Sequence, residues 1–455
     1  MTSNKRFRRG LLVGLTALAM VAAACGDDDD EGDGGAATTQ AGGSDTTAAS
    51  GGGDLSGETV TILGPEVGAE ADGVTEAFVP FSEATGAKVE YTGTRDAETQ
   101  VRTAAEAGGD ALPDIFFAPQ PGLVRDLAPN IVPLSDSLLA TVTSDFDPYF
   151  AELVTVDGKA LGVPAKGDVK SLVWYSPAMF EEKGYTVPET WDDMIALADK
   201  MKADGITPWC VGIESGEATG WTFTDWMEDI MLRMHGPEVY DQWVAHEIPF
   251  NDPKVLEVAE AVGEQWFAEG NVLGGREAIA STGFAAAGRP LLEGQCGLHR
   301  QANFYAAQFK DAKPDVTFGE DGDVNVFYLP TMSDEFGKVL LSGGVYAVAF
   351  NDEPATVAAL EYIASADYAN ARIKADKGGF LSPNKTHDTS LYSTELDRTL
   401  AEILVTADPL RFDASDLMPG EVGAGSFWKE GTNYVSGTID AQEFVDNVEA
   451  SWPAG

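Results

Sequence analysis

The sequence predicts an α/β protein of two lobes built on mostly parallel sheets. Three observations carry this. Between Glu58 and Phe117 the chain alternates strand, helix, strand, helix, strand, the rhythm of a parallel layer covered by helices. Past its N-terminal segments roughly 400 residues remain, enough for two or three domains. After a helix-rich middle, the apolar run Lys338–Phe350 resembles the opening strands and predicts a return to the first lobe.

The N-terminus decides where the protein works. Lys5, Arg6, Arg8 and Arg9 form a cationic head, and Leu11–Ala24 is an apolar run too short for a bilayer. Val21-Ala22-Ala23-Ala24-Cys25 ends it with small residues before a cysteine. This order predicts a lipoprotein signal peptide, residues 1–24, with Cys25 lipidated. Two or more acyl chains, at about 0.8 kcal/mol per buried methylene, hold a protein on a membrane. Arg8-Arg9 also admits a twin-arginine route. Residues 25–54, acidic and rich in Gly, Ala, Thr and Ser, lack core-forming side chains and predict a disordered tether of roughly 30 Å reach. The expected location is the extracellular face of the cell membrane.

The chain has 74 acidic and 29 basic residues, a net charge of −45. Such a surface repels phosphate backbones and anionic lipids, which argues against a nucleic-acid partner. With Cys25 assigned to lipid, two thiols remain, Cys210 and Cys296. An oxidising compartment would pair them; two unpaired buried thiols are the alternative.

In order, Glu58–Leu63 alternates as a strand, with Gly64-Pro65-Glu66 as the loop beyond it. Val74, Ala77, Phe78 and Phe81 recur at helical spacing up to Gly86. Lys88–Thr92 reads as a strand, Ala97–Ala107 as a helix, and Pro113–Phe117 as a buried strand ending in Ala118-Pro119-Gln120. Ligands of open α/β sheets sit beyond strand carboxyl ends, which singles out Glu66 and Gln120. Leu161–Tyr175 is a long extended segment able to cross between lobes, carrying Asp168 and Lys170 near the crossover. Thr190-Trp-Asp-Asp193 is a capping box opening a helix that Gly205 stops. Asp252-Pro253 opens another, up to Gly270. A helix through Val357, Leu360, Ile363 and Ala364 follows the strand Lys338–Phe350. Beyond Pro383 the chain is expected to be helical, with a flexible Gly-rich loop, Pro419–Ser426, before Trp428.

Catalytic motifs fail when checked. There is no phosphate-binding loop, nucleophile elbow or zinc-protease helix, and the four histidines lack metal-ligand spacing. Neither cofactor nor metal is expected. Ser382-Pro-Asn-Lys385 matches the S-x-x-K of penicillin-interacting enzymes without its companion motifs. The abundance of carboxylates keeps a secreted glycoside hydrolase open as an alternative. Aromatics beside planar polar groups stand out instead: a sugar offers an apolar face to Trp or Tyr and a rim of hydroxyls to polar side chains. Trp221, Arg300 and Trp428 are candidates; Trp221 and Trp226 could equally be core residues of one helix, and Arg300 could pair with an acid.

Several stretches together resemble a known family, the extracellular substrate-binding proteins of carbohydrate ABC importers, especially their α-glucoside-binding group. They include Lys170–Pro177, Thr190–Asp193, Pro208–Gly216, Gly220–Asp229, Cys296–Asn303, Ser342–Gly344, Asp416–Pro419 and Ser426–Trp428. The resemblance, over nearly all of residues 56–452, implies a two-lobed periplasmic-binding-protein fold whose discontinuous lobes are joined by a hinge, with the ligand cleft between them. The lobes would comprise residues 55–168 plus 337–386 and residues 169–336 plus 387–455. It implies a non-enzymatic, monomeric receptor that captures an oligosaccharide, an α-glucoside by group, and delivers it to membrane permease subunits. It places Glu66 and Gln120 on one wall and Trp221, Arg300 and Trp428 on the other, with Gly343 and Gly344 letting backbone approach the ligand and Asp168 nearby. It also implies a Cys210–Cys296 disulfide. The same fold binding a non-sugar solute is a further alternative.

Overall fold

The computed structural model describes residues 54–108 and 111–453; Cys25 and the signal and tether segments lie outside them. Its first sheet begins with three parallel strands, Lys88–Gly93, Thr59–Gly64 and Ile115–Ala118, in that spatial order. Leu340–Ala349 lies antiparallel beside Ile115–Ala118 and also pairs with Val163–Val169. Leu410–Phe412 adds a parallel edge. Successive side chains alternate faces: Ile115 and Phe117 join Val60, Ile62 and Phe78 on one side, while Phe116 and Ala118 join Leu63, Leu123 and Leu404 on the other. Both faces are covered, which is why these strands read as unbroken apolar runs.

The second sheet is four-stranded, Asn325–Tyr328, Leu172–Tyr175, Cys296–Arg300 and Thr207–Trp209 in spatial order. Only Lys170 and Ser171 separate Val163–Val169 of the first sheet from Leu172–Tyr175 of the second, so the extended segment changes sheets there. Leu340–Ala349 brings the chain back. After Phe412 it leaves again, and Met418, Val422, Phe427 and Phe444 enter the core around Trp226, Trp243 and Trp266. Residues 387–455, expected in the second lobe, therefore supply a strand to the first sheet before joining the second core.

Local signals explain the helices. Thr190 Oγ1 accepts the Asp193 N–H at 3.2 Å while Asp193 accepts the Thr190 N–H, closing the capping box of Trp191–Ala203. The apolar run through Phe81 divides into Ala69–Ala77 and Val79–Thr85, since Pro80 has no N–H with which to continue the first helix. The expected Gly-rich loop before Trp428 is helical instead: Glu421–Phe427 forms wide π-type turns that run into Trp428–Val435. Val422 and Phe427 are buried there, and burial of those side chains overrides the glycines' low helix propensity. Cys210 and Cys296 form a disulfide with Cα atoms 5.7 Å apart, joining the segment after Thr207–Trp209 to its neighbouring strand.

Candidate functional site

Loops at the carboxyl ends of Thr59–Gly64 and Ile115–Ala118 open onto a cavity of about 120 Å³. From the first sheet it is lined by Glu66, Gln120, Lys166, Asp168 and Gly344. Facing them are Trp221, at the start of the helix Trp221–Val244, Phe304, Ser415 and Trp428. Walls from both halves thus enclose one space.

Charges on the first wall form a chain of ion pairs. Arg372 Nη2 lies 3.0 Å from Glu66 Oε1, Lys166 Nζ 3.5 Å from Glu66 and 3.1 Å from Glu70 Oε1, and Arg95 Nη2 3.5 Å from Glu70 Oε2. Burial alone would raise the Glu66 carboxyl; Arg372 and Lys166 outweigh it and hold it below the usual range. Asp168, 3.7 Å from Lys166 Nζ, goes the other way: burial dominates its opposing cations and raises it. Burial also pushes Glu98, another lining residue, up to about 7, against the pull of Arg102 and Arg95.

Beneath the cavity Lys170 links the two halves. Its Nζ binds Asp225 on the long helix at 2.9 Å and Asp413 beyond the strand Leu410–Phe412. Asp225, Glu228 and Asp413 offer carboxylate oxygens within 4.8 Å of one another, a spacing that could hold a cation, and the Lys170 ammonium already neutralises part of that charge. Burial, then repulsion from Asp413 and Asp225, raises Glu228 well above its ordinary value.

The opposite wall is aromatic. Trp221 packs against Phe284 and Phe304, ring centres 5.1 and 6.0 Å away. Gly220 has φ +116°, and a Cβ there would lie 2.8 Å from Trp428 Cα. Glycine alone permits that backbone contact, which sets Trp428 beside the helix bearing Trp221. Trp226, the alternative core residue, is buried against Trp209 and Trp266.

Several buried polar atoms at the cavity have no hydrogen-bond partner among the described residues: both amide atoms of Gln120, Ser215 Oγ and Trp428 Nε1. Each such group costs about 1–3 kcal/mol if left unmet. Their convergence suits a ligand bearing hydroxyls.

Of the residues singled out from sequence, Glu66, Gln120, Asp168, Trp221, Gly344 and Trp428 line the cavity. Arg300 does not. Its side chain is fully buried, with Nη1 3.3 Å from Asp225 Oδ2 and Nη2 2.8 Å from Asp229 Oδ2, so it holds the acids behind the wall instead of forming it. Gly344 has a structural role as well: a Cβ there would meet the Lys166 carbonyl oxygen at 2.5 Å, so its lack of side chain lets two strands approach. Gly343 likewise makes room for the Lys170 side chain. Sequence reasoning missed Glu70, Arg95, Glu98, Phe304, Ser415 and Asp416. The loop-end argument that found Glu66 could have reached Glu70 in the following helical turn; the others carry no local signal.

A family description, bacterial extracellular solute-binding protein, matches residues 64–369. The chain belongs to this family. Solute-binding proteins of this kind are the ligand-capturing components of ABC importers, so its role at family level is binding and not catalysis. The osmoprotective compounds-binding protein GgtB of Synechocystis is 42% identical over 400 residues, 87% of this chain and 92% of the relative. The alpha-glucosides-binding periplasmic protein AglE of Rhizobium meliloti is 37% identical over 414 residues, covering 88% of each. Among solved structures, the bacterial solute receptor AcbH superposes with a TM-score of 0.74 at 18% identity, covering 87% of this chain and 97% of that one. Maltose-bound MalE3 of T. maritima gives 0.65 at 16%, covering 86% and 98%. At such identities these two show the fold alone, a two-lobed α/β solute-binding protein. Among the described residues no helix is long and apolar enough to cross a membrane.

Proposed function

We propose that this solute-binding protein captures an α-glucoside by hinge closure and delivers it to the permease of an ABC importer, working as a monomer tethered through lipidated Cys25 to the extracellular face of the membrane. One observation supports the ligand class above the rest. The cavity is lined by Trp221 and Trp428 together with unpartnered Gln120 and several carboxylates, the combination of aromatic ring and hydroxyl partner that a sugar requires. The name of the second relative, for alpha-glucosides, points the same way. In this reading Glu66, Gln120, Asp168, Trp221, Gly344 and Trp428 contact ligand, and Arg300 positions Asp225 and Asp229. The moving bodies are residues 55–168 plus 337–386, to which 387–412 adds the helix Glu395–Thr406, packed on the first core through Leu400 and Leu404, and the strand Leu410–Phe412, and residues 169–336 with 413–455. Closure buries the ligand and presents both lobes to the permease.

Tryptophan fluorescence and calorimetry with α-glucosides test the ligand. Micromolar binding that Trp428→Ala weakens by about 10- to 100-fold, the worth of one buried aromatic face, is expected. A flat response across glucosides sinks this reading, and hydrolysis of the sugar on prolonged incubation restores the glycosidase alternative. The second reading, a non-sugar osmolyte, follows from the wording of the first relative's name; binding of a zwitterionic osmolyte without binding of glucosides would establish it. For the anchor, metabolic labelling with a fatty acid should mark the protein, and Cys25→Ser should release it to the medium.

A further inference from the structure

Two cations of the first half, and Lys170 at the crossover, face aromatic rings of the second half. Arg95, just beyond the strand Lys88–Gly93, holds its guanidinium carbon 4.6 Å from the centre of the Phe284 ring. Lys166 Nζ lies 5.0 Å from the Phe304 ring and Lys170 Nζ 5.9 Å from that of Trp221. A cation within about 6 Å of a ring centre is attracted to its face, more strongly where water is kept out. Arg95 is the cation least held by other partners. Lys170 is tied to Asp225 and Asp413, and Lys166 to Glu66, Glu70 and Asp168, with side chains only 8% and 7% exposed. Arg95 is 26% exposed, its acid partner Glu70 is 3.5 Å away, and its Nε and Nη2 donate no hydrogen bond among the described residues. Phe284 is the fixed side of the contact: it is buried, and it packs with Cys210 and Cys296 in the second half. Beside it, a Cβ on Gly216 would lie 3.3 Å from Asp96 Oδ1, so the turn after Lys88–Gly93 meets the second half at two points.

We propose that Arg95 seated on Phe284 is a latch across the cleft: it forms when the lobes close, breaks when they open, and sets how long a captured solute is held. This rests on the hinge closure and the α-glucoside reading above and adds the release step to them. The contact is absent from the open protein that meets the ligand, so it acts on dissociation and not on association. Arg95 is also the removable half. Without its guanidinium, Glu70 keeps Lys166 at 3.1 Å, whereas loss of Lys166 would leave three acids facing one another.

The test is stopped-flow tryptophan fluorescence and calorimetry on the full folded chain with maltose and trehalose, for the parent protein, Arg95→Gln, Phe284→Leu and the double variant, each checked by thermal melting. Arg95→Gln should release sugar about 3- to 30-fold faster, the range of one cation–ring contact, while its association rate changes by less than about twofold. In the double variant the two effects should not add, because either change alone already removes the contact. Unchanged release by folded Arg95→Gln overturns the latch, and so does full additivity in the double variant, which would make Arg95 a ligand contact independent of Phe284; sugar binding by the parent keeps the α-glucoside reading in both cases. If the parent binds neither sugar, that reading falls and small-angle scattering of the ligand-free proteins decides the latch: Arg95→Gln should be the more open, and equal radii of gyration overturn it.

Discussion

Arg300 offers the sharpest way to separate wall from support. In Arg300→Met the bulk survives and the charge is lost from a site where the guanidinium is fully buried between Asp225 and Asp229. Removing one member of a buried pair costs about 3–5 kcal/mol, because its partner remains buried and uncompensated. Here the cost is moderated. Asp225 keeps Lys170 at 2.9 Å, and Asp229 keeps Arg233 and the Ser171 hydroxyl at 2.8 Å. The low end applies, about 3 kcal/mol, and it should appear as a lower urea midpoint with little change of slope. Ligand affinity, measured by calorimetry where both proteins are folded, should change by less than about tenfold, since no contact to the ligand is removed. A variant as stable as the parent that no longer binds ligand would refute this reasoning and return Arg300 to the cavity wall.

Other perturbations probe other parts of the structure. The Cys210–Cys296 disulfide spans 86 residues, so Cys210→Ser with Cys296→Ser should lose about 4–5 kcal/mol on the loop-entropy argument; an unchanged urea midpoint in the double variant would show that the bridge contributes nothing. His299 is buried, its Nδ1 2.9 Å from the Cys210 carbonyl oxygen, and burial pushes it down to about 4 from 6.5. Because the folded state binds the proton less readily than the unfolded one, His299 contributes stability that is full above pH 6.5 and lost as pH falls towards 4, of order 3 kcal/mol in all; a urea midpoint equally acid-sensitive in His299→Gln would contradict this. In Gln120→Met two unpartnered buried atoms vanish, so small-angle scattering of the ligand-free protein should show a more closed population while calorimetry shows weaker sugar binding; a change of the same sign in both would argue against the proposed contact.

Most of the architecture is written in local patterns. Alternating or continuous apolar runs at Thr59–Gly64, Ile115–Ala118 and Leu340–Ala349 announce a sheet covered on both faces, and its parallel strands put Glu66 and Gln120 at the cleft without any alignment. What stays hidden depends on contacts between residues far apart in the chain. Arg300 reads as a ligand group because a planar polar side chain suits sugar hydroxyls as well as it suits an acid, and the acids that claim it, Asp225 and Asp229, lie some seventy residues earlier. The Gly-rich run before Trp428 reads as a loop because local propensity cannot register that Val422 and Phe427 are buried in a distant core. Lys166, Asp168 and Lys170, alternating along one extended segment, were visible as charges; that Lys166 meets Glu66 and Glu70 as well as Asp168, while Lys170 meets Asp413, is a fact of tertiary structure alone.

Taken together, the charges and the vacant polar groups have separate tasks. Ion pairs hold the wall from Arg372 to Arg95, and Lys170 ties the crossover to acids from both halves, so these carboxylates are already satisfied by cations of the protein. Gln120, Ser215 and Trp428 are not. At about 1–3 kcal/mol for each unmet group, the closed arrangement proposed above would, without ligand, carry a penalty of several kcal/mol that opening to water would remove and a polyhydroxylated ligand would also remove. A ligand shifts a two-state equilibrium only by its differential affinity for the two states, and that difference is concentrated here in the handful of atoms that closure would otherwise strand. In the proposed closure, selectivity and closing have one physical origin: a solute that leaves Gln120 or Trp428 unpaired would bind poorly and, for the same reason, would not shut the cleft.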